Sequence, residues 1–411
     1  MKKYDYNFDM DEVEFNGNII DNTLFVDWVI LHECNYKCSY CFGQSPIDKA
    51  NFVPLAKLKH AVDLLLSIDK EKYVFTITGG EVTYYPYLFE FIDYIFNHNK
   101  NISAYIITNG SKNLDFFDKF FQKYENYNVT FTISIHLEYA KYEHISDIIK
   151  LSNKYNKRIR LSLMLHPEKQ KEAEFFYNNL VELRKEYIFD INLGEIAGGP
   201  KFDRIDERYT EEYFNFIDNS LDYINNTTFD KEDIKKVEWG PQGHYRLKDG
   251  RILRTHWIKS FRKMQKKFTG FYCCGGINVI RIERNGSYSG GVCSDLKNVG
   301  NIYTDSYINY RDLLKYAKCN SYQCTCTAND CIPKFRNEQD AINYTSEIKQ
   351  KYLFSILSNI NNIGNDVNSK MNKLLELSNK IDNLYNKIVD LLAWWIPIKK
   401  VRNDFRSKFK L

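Results

Sequence analysis

The 411-residue chain has no run of about 18 consecutive apolar residues, so nothing in it reads as a membrane-spanning helix. Its first residues, Met1-Lys-Lys-Tyr-Asp-Tyr-Asn7, lack the apolar stretch of a signal peptide, and we therefore expect a reducing, cytoplasmic location. An excess of one charge is missing too. Lys+Arg 57 against Asp+Glu 53 leaves only +4, so no nucleic acid or other polyanion partner is implied. Cysteine is absent between Cys41 and Cys273, although the chain has ten. A disulfide framework would spread its cysteines over a small domain. Here three share one short loop and seven lie between Cys273 and Cys331, a clustering that reads as metal-binding thiols.

The first group is Cys34-Asn-Tyr-Lys-Cys38-Ser-Tyr-Cys41. It follows an apolar run, Leu24–Leu31, that reads as a buried strand. Three thiolates at this spacing can hold three irons of a cubane cluster and leave the fourth open. An open iron can bind a small molecule. A structural zinc site is the other reading, with His32 or Glu33 as a fourth ligand. Tyr40, before the last cysteine, can cover one side of the loop.

From about Asn22 strand-like and helix-like segments alternate. The strand runs are Leu24–Leu31, Tyr73–Thr78, Ser103–Thr108, Val129–Ile135, Arg158–Leu165 and Phe189–Glu195. The helices between them are Leu55–Ile68, Leu88–His98, Leu114–Tyr124, Ile145–Tyr155 and Glu168–Lys185. Six such units predict an α/β fold, an incomplete (β/α)6 barrel of TIM type, with its chemistry at the carboxyl ends of the strands. Several motifs fall at those ends. Thr78-Gly79-Gly80-Glu81 follows the second strand; paired glycines permit close backbone approach to a ligand, and also serve plain turns. Thr108-Asn109-Gly110 follows the third strand and reads as a turn. Ser134-Ile-His136 ends the fourth, where a histidine is either structural or functional. Leu163, His166 and Glu195 end the fifth and sixth.

The second cysteine group opens with Cys273-Cys274 and a β-hairpin. Residues 279–283 alternate with period two, Asn285-Gly286 is a hairpin turn, and Cys293 closes the segment. Cys319, Cys324, Cys326 and Cys331 follow. Iron–sulfur and zinc both remain open here on the residues alone. Between the two groups, Gly198-Gly199-Pro200 breaks the rhythm, residues 209–224 read as a helix, and Lys248-Asp-Gly250 as a polar turn.

The loop Cys34-x3-Cys38-x2-Cys41, with an aromatic before its third cysteine, resembles that of the radical S-adenosylmethionine (SAM) enzymes. The resemblance covers residues 20–340. It implies a [4Fe–4S] cluster on Cys34, Cys38 and Cys41 whose open iron chelates SAM. An electron from the cluster would cleave the C–S bond and release a 5′-deoxyadenosyl radical that abstracts hydrogen from substrate. It also implies that Gly79, Gly80 and Glu81 contact the SAM amino group, Thr108 and Asn109 the ribose, and Ser134 the carboxylate or ribose, with Tyr40 and His136 beside the cofactor. A flavodoxin- or ferredoxin-type electron donor is implied in the same way. Residues 268–340 resemble the auxiliary-cluster domains (SPASM or twitch) of that family. The implied ligands are Cys274 and Cys293 with two of Cys319, Cys324, Cys326 and Cys331. The late spacing departs from the usual SPASM pattern, which leaves the number of auxiliary clusters open.

From Ile360 to Leu391 apolar residues recur in steps of three and four, a coiled-coil-like seam. Either the helix packs on its own chain or it mediates self-association. Trp394-Trp395 before a basic stretch suits a membrane surface at the inner face or a docking partner. The phrase Trp-Trp-Ile-Pro-Ile-Lys-Lys-Val-Arg is similar to tails of surface-polysaccharide enzymes.

The expected organisation is thus an extension at 1–20, a radical SAM core at 21–230, a connection at 231–267, an auxiliary domain at 268–340 and a helical, basic tail at 341–411. The expected function is radical SAM catalysis on a sugar or glycan of surface-glycan biosynthesis. A peptide- or protein-modifying maturase is the alternative, and a non-catalytic zinc or iron–sulfur scaffold is the reading from another class.

Overall fold

Every residue of strand β2 (Thr23–Leu31) is buried, as its unbroken apolar run predicts for a strand covered on both faces. It begins the main sheet of a computed structural model that describes residues 8–19, 22–41, 43, 46–48, 51–198, 204–226, 243–254, 267–293, 296, 298–321, 324, 331–394 and 399–409. A short strand, β1 (Val13–Gly17), precedes it. Strand and helix then alternate: α1 (Leu55–Leu66), β3 (Lys72–Gly79), α2 (Leu88–Phe96), β4 (Asn101–Thr108), α3 (Leu114–Lys123), β5 (Val129–His136), α4 (Tyr142–Lys154), β6 (Arg160–Leu165), α5 (Gln170–Leu183) and β7 (Asp190–Glu195).

After this come a two-residue ribbon of β8 (Ala197–Gly198) with β9 (Arg204–Ile205), helix α6 (Glu211–Asn226) and the hairpin β10 (His244–Leu247) with β11 (Ile252–Arg254). The cysteine-rich segment holds β12 (Tyr272–Cys273), β13 (Val279–Ile282), β14 (Ser287–Ser289), β15 (Gly300–Asn301), α7 (Tyr310–Leu313), β16 (Ala317–Lys318) and β17 (Lys334–Phe335). Two helices end the chain, α8 (Glu338–Trp394) and α9 (Lys399–Phe409).

Strands β2 to β7 are parallel and lie in sequential order. Right-handed crossovers, the near-universal hand, place all the connecting helices on one face of such a sheet. This is the topology expected for six β/α units, and it brings the carboxyl ends of neighbouring strands together. The helices show why they form. Asn113 caps α3 by accepting a hydrogen bond from the Phe116 amide at 3.2 Å, and α3 buries Phe117, Phe120 and Phe121 on one face.

Two features depart from the sequence expectation. Residues 13–17 fall inside the stretch expected as an extension, yet they form a strand between β10 and β17 in a second, six-stranded sheet. The cysteine-flanked hairpin turns at Asn285-Gly286 as expected, with Gly286 at φ +87°. Its strand β13, however, joins the main sheet parallel to β2, so the sheet has nine strands in the order β15-β14-β13-β2-β3-β4-β5-β6-β7. Arg281 on β13 reinforces this pairing through Asp27 on β2, at 2.8 Å.

The turn at 248–250 is present, with the Gly250 amide donating to Leu247 O at 2.9 Å. Gly199 and Pro200 lie outside the described residues. The chain forms two compact units, 1–348 and 349–411. Among the described residues no helix is long and apolar enough to cross a membrane.

Candidate active site and thiol groups

The cysteine loop leaves the carboxyl end of β2 and is seated on the next strand by backbone alone. Gly80 donates to Leu31 O at 3.0 Å and Glu81 donates to Glu33 O at 2.8 Å. The paired glycines make this possible. A Cβ on Gly79 would stand 2.2 Å from Leu31 O, and one on Gly80 2.1 Å from Glu33 O. The close approach inferred from Gly-Gly is therefore to the chain's own loop.

Glu81 is wholly buried. Its Oε1 accepts from the Thr83 amide at 3.1 Å, the Thr83 hydroxyl at 2.5 Å and the Thr108 hydroxyl at 2.6 Å; its Oε2 accepts from the Asn109 amide at 2.6 Å. Burial raises its pKa, and the four donors oppose that rise. The carboxylate thus ties the end of β3 to the end of β4. Asn109 then reaches the loop: its Nδ2 donates to Asn35 Oδ1 at 2.9 Å and lies 3.8 Å from Cys34 Sγ. Asn35 in turn donates to the Ser111 hydroxyl at 2.9 Å.

The other side of the loop is held by β5 and β6. The Ser39 amide donates to Glu138 Oε2 at 2.9 Å, and the Lys37 amide to the Tyr139 hydroxyl at 3.2 Å. Tyr36 stacks on Tyr139 with ring centroids 4.4 Å apart. The Tyr40 hydroxyl is 2.6 Å from His136 Nδ1, and the Ser39 hydroxyl is 2.9 Å from His166 Nε2. Burial lowers the His136 pKa to about 4, which keeps the imidazole neutral near pH 7. Burial also raises the Tyr40 pKa, so its phenol keeps the proton to donate. Ser134 lies two residues before His136 and shares its face of β5. Leu163 is fully buried on β6, and Glu195 is buried at the end of β7.

Cys34 is half-buried, Cys38 buried and Cys41 exposed. Burial raises the pKa of Cys34, and that of Cys38 to about 12; Cys41 adds to both shifts as a nearby charge. Among the described residues no three His, Cys, Asp or Glu side chains converge on one metal ion. A cubane takes each thiolate on a separate iron, and this one loop carries three free thiols, Cys34, Cys38 and Cys41, which suit a cubane with one iron left open.

The late cysteines form a second group. Cys273 and Cys331 are buried in one apolar cluster with Phe25, Val74, Tyr105 and Ile332, and Cys293 and Cys324 pack against it. Burial raises the Cys273 pKa, Lys334 opposes the rise, and Cys324, Cys274 and Cys293 add to it. The group includes Cys273, where the family resemblance had pointed to Cys274. Cys274 is wholly buried, and its amide donates to Pro333 O at 2.8 Å. Cys319 packs in a separate cluster with Phe268 and Phe271, and Cys324 touches both. Cys326 lies outside the described residues.

Sequence reasoning passed over Tyr36, Glu138, Tyr139 and Lys112. Tyr36 lies within the cysteine motif, and the others follow strand ends, which was the available signal. Lys112 stands 3.8 Å above the ring of Tyr84, and burial lowers its pKa.

Residues 28–191, which carry this loop and the strand-end motifs at 78–81, 108–110 and 134–136, match the family model of the Radical SAM superfamily. This stretch thus matches a radical SAM domain. Such domains use a [4Fe–4S] cluster together with SAM. The chain is 30% identical over 88 residues to the antilisterial bacteriocin subtilosin biosynthesis protein AlbA of Bacillus subtilis, covering 21% of this chain and 19% of that protein. It is 27% identical over 192 residues to the S-adenosylmethionine-dependent nucleotide dehydratase of Flammeovirga pacifica, covering 46% of this chain and 57% of that protein. These matches span about a fifth and just over half of the relatives' own lengths. Among solved structures, anSMEcpe with bound AdoMet is similar at 16% identity and a TM-score of 0.47, over 82% of this chain and 99% of that one.

Proposed function

We propose that this chain is a radical SAM enzyme in which Cys34, Cys38 and Cys41 hold a [4Fe–4S] cluster with one iron left for SAM. The observation that carries this reading is the seating of the three-cysteine loop, inside the matched domain, at the carboxyl ends of β2 to β6. When bound, the cluster and SAM supply one-electron cleavage of a C–S bond and hydrogen-atom abstraction.

The chain's own residues fix that loop. Gly79 and Gly80 let it sit on β3, Glu81 locks the 108–109 turn against it, and His136, Glu138 and His166 hold residues 39–40. In this reading Glu81 serves SAM through its backbone and the turn it holds, because its carboxylate already accepts four hydrogen bonds. Thr108, Asn109, Ser134, His136 and Tyr40 line the remainder of the SAM site. A flavodoxin- or ferredoxin-type donor supplies the electron. The nine described cysteines are free thiols, the form in which they could ligate iron.

We assign an auxiliary [4Fe–4S] cluster to Cys273, Cys293, Cys324 and Cys331, on the strength of their common packing. The substrate class taken first is a peptide or protein, supported by the relative named for bacteriocin biosynthesis. A nucleotide is the second reading, supported by the dehydratase relative. Neither relative is named for glycan work, and residues 395–398 of the tail phrase behind that expectation lie outside the described residues.

Anaerobic reconstitution followed by iron and sulfide counting tests the assignment, with electron paramagnetic resonance before and after SAM addition. We expect roughly eight irons per chain and a cluster signal that shifts on adding SAM. Zinc without iron or sulfide, and no response to SAM, would replace the enzyme with a scaffold. Adding candidate peptides and nucleotides and measuring consumption of each separates the substrate readings.

A further inference from the structure

The C-terminal unit, residues 349–411, has an apolar face that its own described residues leave uncovered. Helix α8 carries a seven-residue repeat in which one position reads Ile360, Val367, Leu374, Ile381 and Ile388. The position three residues later reads Ile363, Lys370, Leu377, Leu384 and Leu391. These are the a and d positions of a heptad pattern that spans more than four repeats, about 48 Å of helix. Leu377, Ile381, Leu384, Ile388 and Leu391 are 53–66% exposed in the single chain.

Helix α9 is the neighbour that could have covered this seam, and it packs elsewhere. Among the described residues of α8's last turns, Val389 and Ala393 are the buried ones, and Asp390 pairs with Arg406 of α9 at 2.9 Å. Positions 389, 390 and 393 are b, c and f of the same heptad, away from the a/d seam. The f position is Asn at 365, 372, 379 and 386, a polar outer face.

We infer that the seam is covered by a second copy of this chain in a parallel, in-register, two-stranded coiled coil. The residue types choose the strand number. β-branched residues hold four of the five a positions and leucine the later d positions, a combination that favours two parallel strands. Charge chooses the direction. Lys373, Lys380 and Lys387 occupy successive g positions. An antiparallel pair would set g against g and bring these lysines together. A parallel pair sets g against e, where Ser378, Tyr385 and Leu392 stand, so the lysine stems lie over uncharged side chains. The strict seven-residue period further implies a left-handed supercoil. The active-site assignment plays no part in this inference.

The full-length chain tests it. Light scattering on a sizing column should give twice the chain mass, and Ile381→Asp with Leu384→Asp should give the single-chain mass at the same concentration. Asn379→Asp, on the outer f face, should stay dimeric. A photo-crosslinking residue at Leu391 should join the partner near its own residue 391. Three outcomes would overturn the inference: a monomer at tens of micromolar, a dimer that survives the double substitution, or crosslinks from 391 to the region of 360. A monomer whose tail binds anionic phosphatidylglycerol vesicles would assign the face to a lipid surface instead.

Discussion

Arg284 Nη2 lies 3.1 Å from Glu33 Oε1, and Glu33 immediately precedes Cys34. A residue at the tip of the late hairpin therefore braces the strand that leads into the first cysteine loop. Arg284 also donates to the Asn51 carbonyl. Because β13 adds to β2, the two cysteine-rich parts of the chain share one sheet. Replacing Arg284 with Met leaves the buried Glu33 carboxylate with a hydrogen bond from the His32 amide, at 3.1 Å. We expect a loss of about 1–3 kcal/mol in urea unfolding and faster iron release from the first cluster. An unchanged unfolding midpoint would remove the brace.

Gly80→Ala should act on the same loop from the other side. Its Cβ would stand 2.1 Å from Glu33 O, a backbone atom with no room to swing away. The expected cost is about 1–3 kcal/mol, with reduced iron retention. Gly43→Ala is the control: a Cβ there meets nothing within 4 Å among the described residues, and its effect should stay within about 0.5 kcal/mol.

His136 gives the chain an acid-sensitive contact. Its pKa is lowered from 6.5 to about 4 by burial. Between those values the unfolded chain binds a proton that the folded chain refuses, so stability falls as pH drops through 6.5 and levels off below about 4. The full loss is on the order of 3 kcal/mol. Urea midpoints of the metal-free chain measured from pH 7 to 4 should fall more steeply for wild type than for His136→Asn. Parallel curves would contradict the buried neutral imidazole.

The paired cysteines at 273 and 274 offer a sharp comparison. Cys273→Ser should lower the reconstituted iron content from roughly eight to roughly four per chain. Cys274→Ser should leave it near eight. The reverse result would move the auxiliary ligand to Cys274 and set aside the shared packing of Cys273, Cys293, Cys324 and Cys331.

These comparisons also show what could be read from the sequence. The strand runs from Leu24 to Glu195 were legible because each is apolar, bounded by polar turns and joined locally to its helix. The bounds moved by at most a few residues. Asn285-Gly286 was legible because a tight hairpin turn is a local signal. Strand β1 was not, because it is five residues long and its partners lie more than 200 positions away. The pairing of β13 with β2 is equally remote. The packing of Cys273 with Cys293, Cys324 and Cys331 was not legible either, because it joins segments that only the fold brings together. Glu81 was found as a motif, but two of its four donors, the Thr108 hydroxyl and the Asn109 amide, reach it only once β3 and β4 are paired.

The most direct measurement is 5′-deoxyadenosine formation by the anaerobically reconstituted chain with SAM and a strong reductant, beside Cys38→Ala. The proposed function predicts product from wild type and none from the variant. Equal product from both would contradict the assignment of the cluster to Cys34, Cys38 and Cys41. No product from wild type, with full iron and with peptide and nucleotide substrates supplied, would contradict radical SAM catalysis itself.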